Sequence, residues 1–238
     1  MQTKLKISTI VAVLFLALFS GELQAQMQNY EFGLCVRRKK CVPENSEWRL
    51  SQSIIGITMR GHGSVVDLIV NRDGDNRFRF GDYLGAAFST GYAKENIDPG
   101  GGDPRELKTM WLSIDLRAGL QAAYNINDQV TVGANAFFEY QFGFVVMTDY
   151  NENIYSYKVL GVNGRYGRLF LEYNLGLPWD MTDAEDYDDH ISRVQFRFFT
   201  RPDKGKNIGF RLETAKRAWY GGRTDRLTTF EFCFGRMF

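Results

Sequence analysis

The chain has 238 residues, of which 44% are hydrophobic and 15% aromatic, and its formal net charge at pH 7 is +1. Charges this nearly balanced exclude the overall basic field that would attract a nucleic acid. Beyond residue 25, no stretch approaches the ~18 consecutive apolar residues of a membrane helix. A membrane role would therefore require a closed β-barrel, the other structure that satisfies every backbone group in lipid.

Residues 1–25 have the pattern of a secretory signal peptide. Lys4 and Lys6 precede a short apolar run at 7–19, and a cleavage site follows at Ala25. The apolar run is too short to cross ~30 Å of hydrocarbon as a helix. We therefore predict that the protein is exported and that the leader is removed.

Residues 26–47 form a polar lead that carries the basic run 37–40. We interpret it as a solvated periplasmic segment ahead of the folded domain. Cys35 and Cys41 lie six residues apart in this lead. Exported proteins can form disulfides, so the two cysteines can close a small loop or remain free thiols, and the sequence leaves both open. Cys233, near the end of the chain, is expected to be unpaired.

Residues 48–238 form a single domain dominated by period-two alternation. In 110–125 and 130–144, apolar side chains occupy the even positions, and most odd positions are small, polar or charged. This pattern indicates strands with two different faces, and it excludes a helix, around which the apolar residues would scatter. We predict ten strands, at residues 48–60, 64–70, 77–92, 109–125, 129–146, 155–163, 167–177, 190–201, 206–219 and 225–238.

The last strand carries the most specific signal. Phe230, Phe232, Phe234 and Phe238 occupy even positions, and small or polar residues lie between Phe230 and Phe234. This strand resembles the C-terminal strand of bacterial outer-membrane β-barrels, which their assembly machinery reads as an insertion signal. The resemblance implies a closed antiparallel transmembrane β-barrel in the cell outer membrane of a Gram-negative bacterium. It implies outer-membrane lipid and lipopolysaccharide as partners, with envelope proteins as further candidates.

The connections support a barrel of ten strands, an even number, as in single-chain bacterial barrels. Short connections, which suit the periplasmic side, lie at 71–76, 126–128, 164–166 and 202–205. Longer connections, which suit the outer side, lie at 93–108, 147–154 and 178–189. The alternative is an eight-strand barrel, in which 50–70 and 155–177 would each become one strand.

The four tryptophans offer a further test of this arrangement. Trp111, Trp179 and Trp219 lie at the outer ends of predicted strands, and Trp48 lies near the inner end of the first. Aromatic girdles occur at such positions in membrane barrels. We therefore predict that these side chains form part of a girdle.

The polar faces of the strands carry charges of both signs. They are Asp115, Arg117, Glu139, Glu172, Arg193, Arg197, Arg211, Glu213, Arg217 and Glu231. A small barrel has little free interior, and buried charges must be paired. We predict that these side chains form a salt-bridged plug; the alternative is the lining of an ion-conducting channel, which would more often carry rings of one sign.

A His-x-Ser pair, His62 and Ser64, is the one feature that suggests an enzyme. It resembles the catalytic pair of outer-membrane phospholipases and lipid A deacylases, in which the imidazole deprotonates the serine for attack on an ester. Those families continue with Asn, whereas Val65 stands here. No acidic partner follows at a convincing position, because Asp73 and Asp75 fall in a turn at the opposite side. We favour a glycine-rich turn.

The connection at 178–190 is strongly acidic, with carboxylates at Asp180, Asp183, Glu185, Asp186, Asp188 and Asp189. Dense carboxylates suit Ca²⁺, but their spacing does not match an EF-hand loop. We interpret the segment as a solvated loop and His190 as a residue of the barrel rim. No metal-binding residue is assigned.

These observations lead to one functional hypothesis with two alternatives. The protein is expected to be a non-enzymatic outer-membrane barrel that acts through its extracellular loops or anchors a larger envelope assembly. The alternatives are a lipid hydrolase that uses His62 and Ser64, and a small passive channel. A soluble exported β-sandwich is a further possibility for the fold. No catalytic residue and no cofactor is assigned.

Overall fold

A computed structural model of the chain describes residues 29–43, 49–63, 67–69, 77–98, 103–145, 153–178, 190–219 and 223–237. Its strands are β1 (Asn29–Pro43), β2 (Arg49–Gly63), β3 (Asp67–Ile69), β4 (Phe78–Asp98), β5 (Arg105–Asn127), β6 (Val130–Val145), β7 (Asn153–Tyr166), β8 (Leu169–Pro178), β9 (His190–Arg201), β10 (Lys206–Trp219) and β11 (Arg223–Arg236). A single 3-10 turn, Pro202–Lys204, joins β9 to β10. Within these ranges, no helix is long and apolar enough to cross a membrane.

The strands form one antiparallel sheet that closes on itself. From β4 to β11 each strand pairs with the next in sequence, β11 pairs with β1, β1 with β2, and β2 with β4. The short β3 pairs with residues 79–81 of β4, beyond the end of β2 on the same edge. β2 and β3 therefore count as one strand, and the molecule is a closed ten-strand barrel. The predicted fold class is confirmed, and the eight-strand alternative is wrong.

The strand number is correct although two predicted elements differ from the structure. Residues 26–47 are predicted as a polar lead, whereas Asn29–Pro43 forms β1, which pairs with both β2 and β11. Residues 48–60 and 64–70 are predicted as two neighbouring strands, whereas β2 continues to Gly63 and β3 extends along the same edge of β4. The prediction omits β1 and counts β2 and β3 as two strands, so the predicted total is still ten.

A period-two pattern explains why β1 is a strand. Tyr30, Phe32, Leu34 and Val36 point out of the barrel, and Leu34 is 59% exposed. Phe32 stacks on Phe234 of β11, with ring centroids 5.8 Å apart. Because the basic run 37–40 follows directly, the average composition of the segment is polar and does not reveal this apolar face.

The two faces of the other strands follow the predicted assignment. In β6, Phe138 points outward and is 49% exposed, whereas Glu139 points into the lumen and is 1% exposed. Phe142 shares the outward face, and Gln141 is buried inside. The outward face is a belt of exposed apolar side chains, and the inward face is mostly polar.

Antiparallel pairing gives the barrel two different ends. One end, called here the turn end, carries the connections 128–129, 167–168 and 202–205. Gly167 and Gly205 adopt positive φ angles of 54° and 64° in these turns. The opposite end, called here the loop end, joins β1 to β2, β4 to β5, β6 to β7, β8 to β9 and β10 to β11. The predicted grouping of short turns at one end is confirmed for these three, and the turn at 71–76 lies outside the described residues.

Candidate functional site

The middle of the lumen is crossed by a network of ion pairs. Arg193 donates hydrogen bonds from Nη1 and Nη2 to the two carboxylate oxygens of Glu139, at 3.0 and 2.8 Å. Its Nε donates to Glu213 at 2.8 Å. Arg117 Nε lies 3.1 Å from the second oxygen of Glu139, and Gln141 donates to the first at 2.6 Å. Arg193 on β9 and Glu139 on β6 are not on neighbouring strands, so their two hydrogen bonds span the interior. The contacts of Arg193 with Glu213 and of Glu139 with Arg117 link neighbouring strands.

A second group of charges lies among β1, β2, β9, β10 and β11, and is called here the five-charge cluster. Its members are Arg60, Arg197, Arg211, Glu31 and Glu231. Arg60 binds Glu231 through two hydrogen bonds of 2.6 Å, and Arg197 Nε donates to Glu31 at 2.6 Å. The cluster contains three guanidinium groups and two carboxylates.

Apolar side chains fill the space between the polar groups. Tyr83, Phe137, Tyr157, Val159 and Ile191 form one buried cluster inside the barrel. Their rings and methyl groups exclude water beside the ion pairs, which strengthens those pairs electrostatically.

Trp111 packs inside the barrel, contrary to the prediction that it joins an outward girdle. It is 4% exposed and contacts Ile54 and Ala93, and the guanidinium of Arg37 lies 5.1 Å above its ring. Trp111 is an odd residue of β5, so it faces inward like Asp115. The side chains of the other three tryptophans lie outside the described part of the chain.

A cavity of about 820 Å³ occupies the turn-end half of the lumen. Residues at its mouth include Asn127, Asp128 and Met237, so it opens at that end. In the loop-end half, a cavity of only about 10 Å³ lies beside Arg37 and Trp111. The described side chains therefore form a vestibule that is open to one side and blocked halfway.

Most of the predicted plug residues come together as expected. Glu172 meets two asparagine side chains instead of an arginine, and Asp115 and Arg197 are two further exceptions. Glu139 and Glu213 bind Arg193, and Arg211 lies 3.7 Å from Glu231. Asp115 accepts a hydrogen bond from Ser113 at 3.1 Å instead of pairing with an arginine.

Arg197 is the third exception, because it pairs with a residue that the sequence analysis missed. Its partner, Glu31, belongs to the unpredicted strand β1. Glu172 accepts hydrogen bonds from Asn174 at 2.7 Å and Asn135 at 3.3 Å. The side chain of Arg217 lies outside the described residues. The alternation of residues 30–36 could have identified Glu31 as a lumen residue.

His62 lines the vestibule and does not face lipid. Its ring lies 5.8 Å from that of Tyr83, between centroids, and Arg60 precedes it on the same inward face. Ser64, the other half of the His-x-Ser pair, lies outside the described residues. The imidazole therefore faces the aqueous interior near the turn end.

All three cysteines are buried, and none of them forms a disulfide within the described residues. Cys35 and Cys41 lie in the same extended strand, so their Cα atoms are roughly 20 Å apart. A disulfide needs a Cα separation of about 4.4–6.8 Å. The disulfide alternative is therefore wrong, and both thiols fill space on the inward face of β1.

The acidic connection lies largely outside the described residues, and nothing in the structure tests a metal site there. In the described ranges, no group of three or more His, Cys, Asp or Glu side chains is arranged to hold a metal ion. His190 begins β9 with an exposed side chain, at the barrel rim as predicted.

A row of basic residues crosses the outward surface at the loop end and is called here the basic row. It consists of His190, Lys216, Arg226 and Lys40, which are paired in register on the adjacent strands β9, β10, β11 and β1. The next outward positions toward the turn end are Ser192, Thr214, Thr228 and Arg38, and the ones after that are Val194, Leu212, Phe230 and Val36. From the loop end inward, the surface thus changes from basic residues, through a layer of three hydroxyl-bearing residues and Arg38, to apolar residues.

Solved structures of bacterial barrels are similar to this chain. The outer membrane protease OmpT from Escherichia coli gives a TM-score of 0.51 at 10% identity, covering 87% of this chain and 94% of that one. The β domain of the Bordetella autotransporter BrkA gives 0.46 at 10% identity, covering 89% and 100%. The translocator domain of the autotransporter NalP from Neisseria meningitidis gives 0.35 at 10% identity, covering 100% and 96%.

No protein-family model matches the sequence, and no curated protein does. At 10% identity the likeness to OmpT concerns the fold and not the activity. The similarity agrees with the observed closure, the even strand number and the outward apolar belt. The chain has the fold of a bacterial outer-membrane β-barrel.

Proposed function

We propose that the protein is a non-enzymatic, non-conducting barrel of the outer membrane, which anchors a loop surface or a larger envelope assembly. The observation that carries the proposal is the bridge from Arg193 on β9 to Glu139 on β6 across the lumen. A pore needs a continuous aqueous path, and this bridge lies in its way together with a buried apolar cluster. Charges of both signs held in mutual contact suit a structural interior better than a selective pore.

The proposed location follows from the outward surface. Exposed apolar side chains surround the barrel, and only lipid compensates for exposing such a belt. Short turns face the periplasm in bacterial barrels. The turn end then faces the periplasm, and the loop end faces outward.

Phosphorylated lipid, including lipopolysaccharide, is the proposed partner of the outer rim. One layer of residues, made of Ser192, Thr214, Thr228 and Arg38, separates the basic row from the apolar belt, which places the row at the level where headgroups begin. Among the described residues, no carboxylate shares the outward face with it on the loop-end halves of these four strands. Cations near a membrane surface attract anionic headgroups, at about 1 kcal/mol per side chain.

The hydrolase alternative has weaker support. A lipid ester reaches the barrel from outside, whereas His62 faces the vestibule. Hydrolysis of a model ester by the folded protein in detergent, lost in the variant His62→Ala, would favour this alternative.

Planar-bilayer recording tests the main proposal against the channel alternative. The unmodified protein should show no steady conductance. A large and stable single-channel conductance would contradict the proposal and favour a channel.

A further inference from the structure

We propose that the turn-end vestibule binds a small organic anion, whose carboxylate or phosphate group is held by Arg211. The inference goes beyond the anchoring role, and it concerns the opposite end of the barrel from the basic row. It is carried by three features of the vestibule: an incompletely neutralised arginine, an excess of arginines over carboxylates in the lining, and a volume suited to a ligand.

Arg211 is the cation of the five-charge cluster that has no carboxylate of its own. Glu231 is engaged by Arg60 and Glu31 by Arg197, both at 2.6 Å. Arg211 remains 3.7 Å from Glu231 and 3.8 Å from Glu31. These separations exceed hydrogen-bond distance, so one positive charge of the cluster is left over.

The donor groups of Arg211 confirm this from the hydrogen-bond geometry. Its Nη2 donates to Gln195 at 2.8 Å. Its Nε and Nη1 are buried and make no hydrogen bond with the described protein atoms. The residue is 3% exposed and lines the vestibule. Unused donors on a buried charged group are costly, and an acid oxygen of a ligand can accept a charge-assisted hydrogen bond from either of these two atoms.

The wider lining favours an anion over a cation. Seven arginines line the vestibule, and the lining also contains the carboxylates of Glu172 and Asp128. Three of the arginines, Arg60, Arg117 and Arg197, are already paired with carboxylates of the barrel wall. Glu172 already accepts hydrogen bonds from Asn174 and Asn135. A cleft lined predominantly by one sign of charge concentrates counter-ions of the other sign.

The walls also indicate the kind of anion. Asn135 and Asn174 each have a buried side-chain oxygen without a hydrogen-bond partner among the described atoms, so both can accept from hydroxyl or amide groups of a ligand. Arg197 is stacked over Phe170 at 5.2 Å, which fixes its guanidinium at the wall. The volume of about 820 Å³ is within the range of small-molecule sites. A hydroxylated or amidated carboxylate or phosphate fits these features.

Isothermal titration of the folded barrel in zwitterionic detergent tests the proposal. Citrate and inorganic phosphate are the two probes, titrated at constant ionic strength to separate binding from screening. We expect saturable binding with one site per chain for at least one probe, and the two titrations distinguish a carboxylate ligand from a phosphate ligand. Absence of saturable binding with both probes would overturn the proposal.

Two variants locate the site, and a third is the matched control. Arg211→Gln removes the cation, and Gln195→Glu places a carboxylate against it; each should lower affinity at least about tenfold. Arg201→Gln removes an equally charged but exposed residue near the turn end and should leave affinity unchanged. A β-sheet circular dichroism spectrum like that of the unmodified protein shows which variants fold. If Arg211→Gln does not fold, the affinity of Gln195→Glu provides the test. Unchanged affinity in a folded vestibule variant would show that Arg211 is not the site.

Discussion

Arg193 on β9 and Glu139 on β6 are joined by two hydrogen bonds, of 2.8 and 3.0 Å, although β7 and β8 separate their strands in the sheet. Both side chains are almost completely buried. The pair therefore acts as a strut between two distant parts of the wall. Loss of either charge should therefore disturb the shape of the barrel, because no water is available to solvate the charged side chain that remains.

Removing Arg193 should destabilise the barrel strongly. Arg193→Met leaves Glu213 without its closest partner and Glu139 with Arg117 alone. Breaking a buried pair from one side costs about 3–5 kcal/mol. Urea unfolding of the refolded protein in lipid vesicles measures the change.

The exposed pair of Lys94 and Glu106 provides the control. Its nitrogen–oxygen distance is 2.7 Å, but both side chains are more than 40% exposed, and exposed pairs contribute little. Lys94→Met should leave the unfolding midpoint unchanged. Equal losses for the two variants would contradict the view that the lumen pair is poorly hydrated. The double variant Glu213→Gln, Arg193→Met should recover part of the loss of Arg193→Met, because it also removes the carboxylate that the single variant leaves unpaired.

Alternation in the sequence was sufficient to predict which residues face the lumen but not which of them meet. Glu139 and Arg193 are 54 residues apart in the chain. Their contact depends on closure, strand tilt and the long reach of arginine, none of which a period-two pattern encodes. The approach of Arg211 to within 3.7 Å of Glu231 was easier to predict, because β10 and β11 are consecutive and these two residues are directly opposite.

The error at β1 had a specific physical origin. Residues 37–40 are all basic, and a run of like charges is usually solvated. In the barrel the run is divided between two environments: Lys39 points inward and pairs with Asp225 at 3.2 Å, while Arg38 and Lys40 point outward. Because β1 was not predicted, Glu31 was not recognised as a lumen residue. The balance of charges around Arg211 could therefore not be derived from the sequence. The vestibule was therefore not predictable from the strands that were identified.

An arginine substituted into the apolar belt should destabilise the barrel in lipid much more than a smaller apolar residue at the same position. Phe210 points outward between Phe196 and Phe232, and its ring is 5.2 Å from that of Phe196. Phe210→Arg should lower the free energy of unfolding in lipid by about 2–4 kcal/mol, as for cations near a bilayer midplane. Phe210→Leu keeps the surface apolar and should cost much less. If both variants unfold at the same urea concentration, this face does not contact hydrocarbon.

The basic row should retain phosphorylated lipid. The double variant Lys40→Gln, Arg226→Gln removes two cations that are directly opposite each other on β1 and β11. We expect fewer phosphorylated lipids bound per barrel after extraction, counted by native mass spectrometry, and a smaller effect at high salt because of screening.

A double variant at the turn end is the control for lipid retention. Arg201 and Lys206 are exposed and opposite each other on β9 and β10. Arg201→Gln, Lys206→Gln removes the same charge and should not change the lipid count. If both double variants lose lipid equally, retention depends on total charge and not on the basic row.

Two glycines of the turn end should differ in their tolerance of alanine, although both adopt positive φ. A Cβ at Gly167 would meet nothing within 4 Å, whereas one at Gly205 would collide with the carbonyl of Met237. The amide of Met237 also donates to the carbonyl of Gly205 at 2.9 Å, which ties the end of β11 to this turn. Gly167→Ala should cost about 1–2 kcal/mol, the usual penalty of a left-handed residue. Gly205→Ala should cost distinctly more, because either the turn or the segment after β11 must move. The difference is measurable as the gap between the two urea midpoints, and a gap of zero would show that Met237 is free to shift away from the turn.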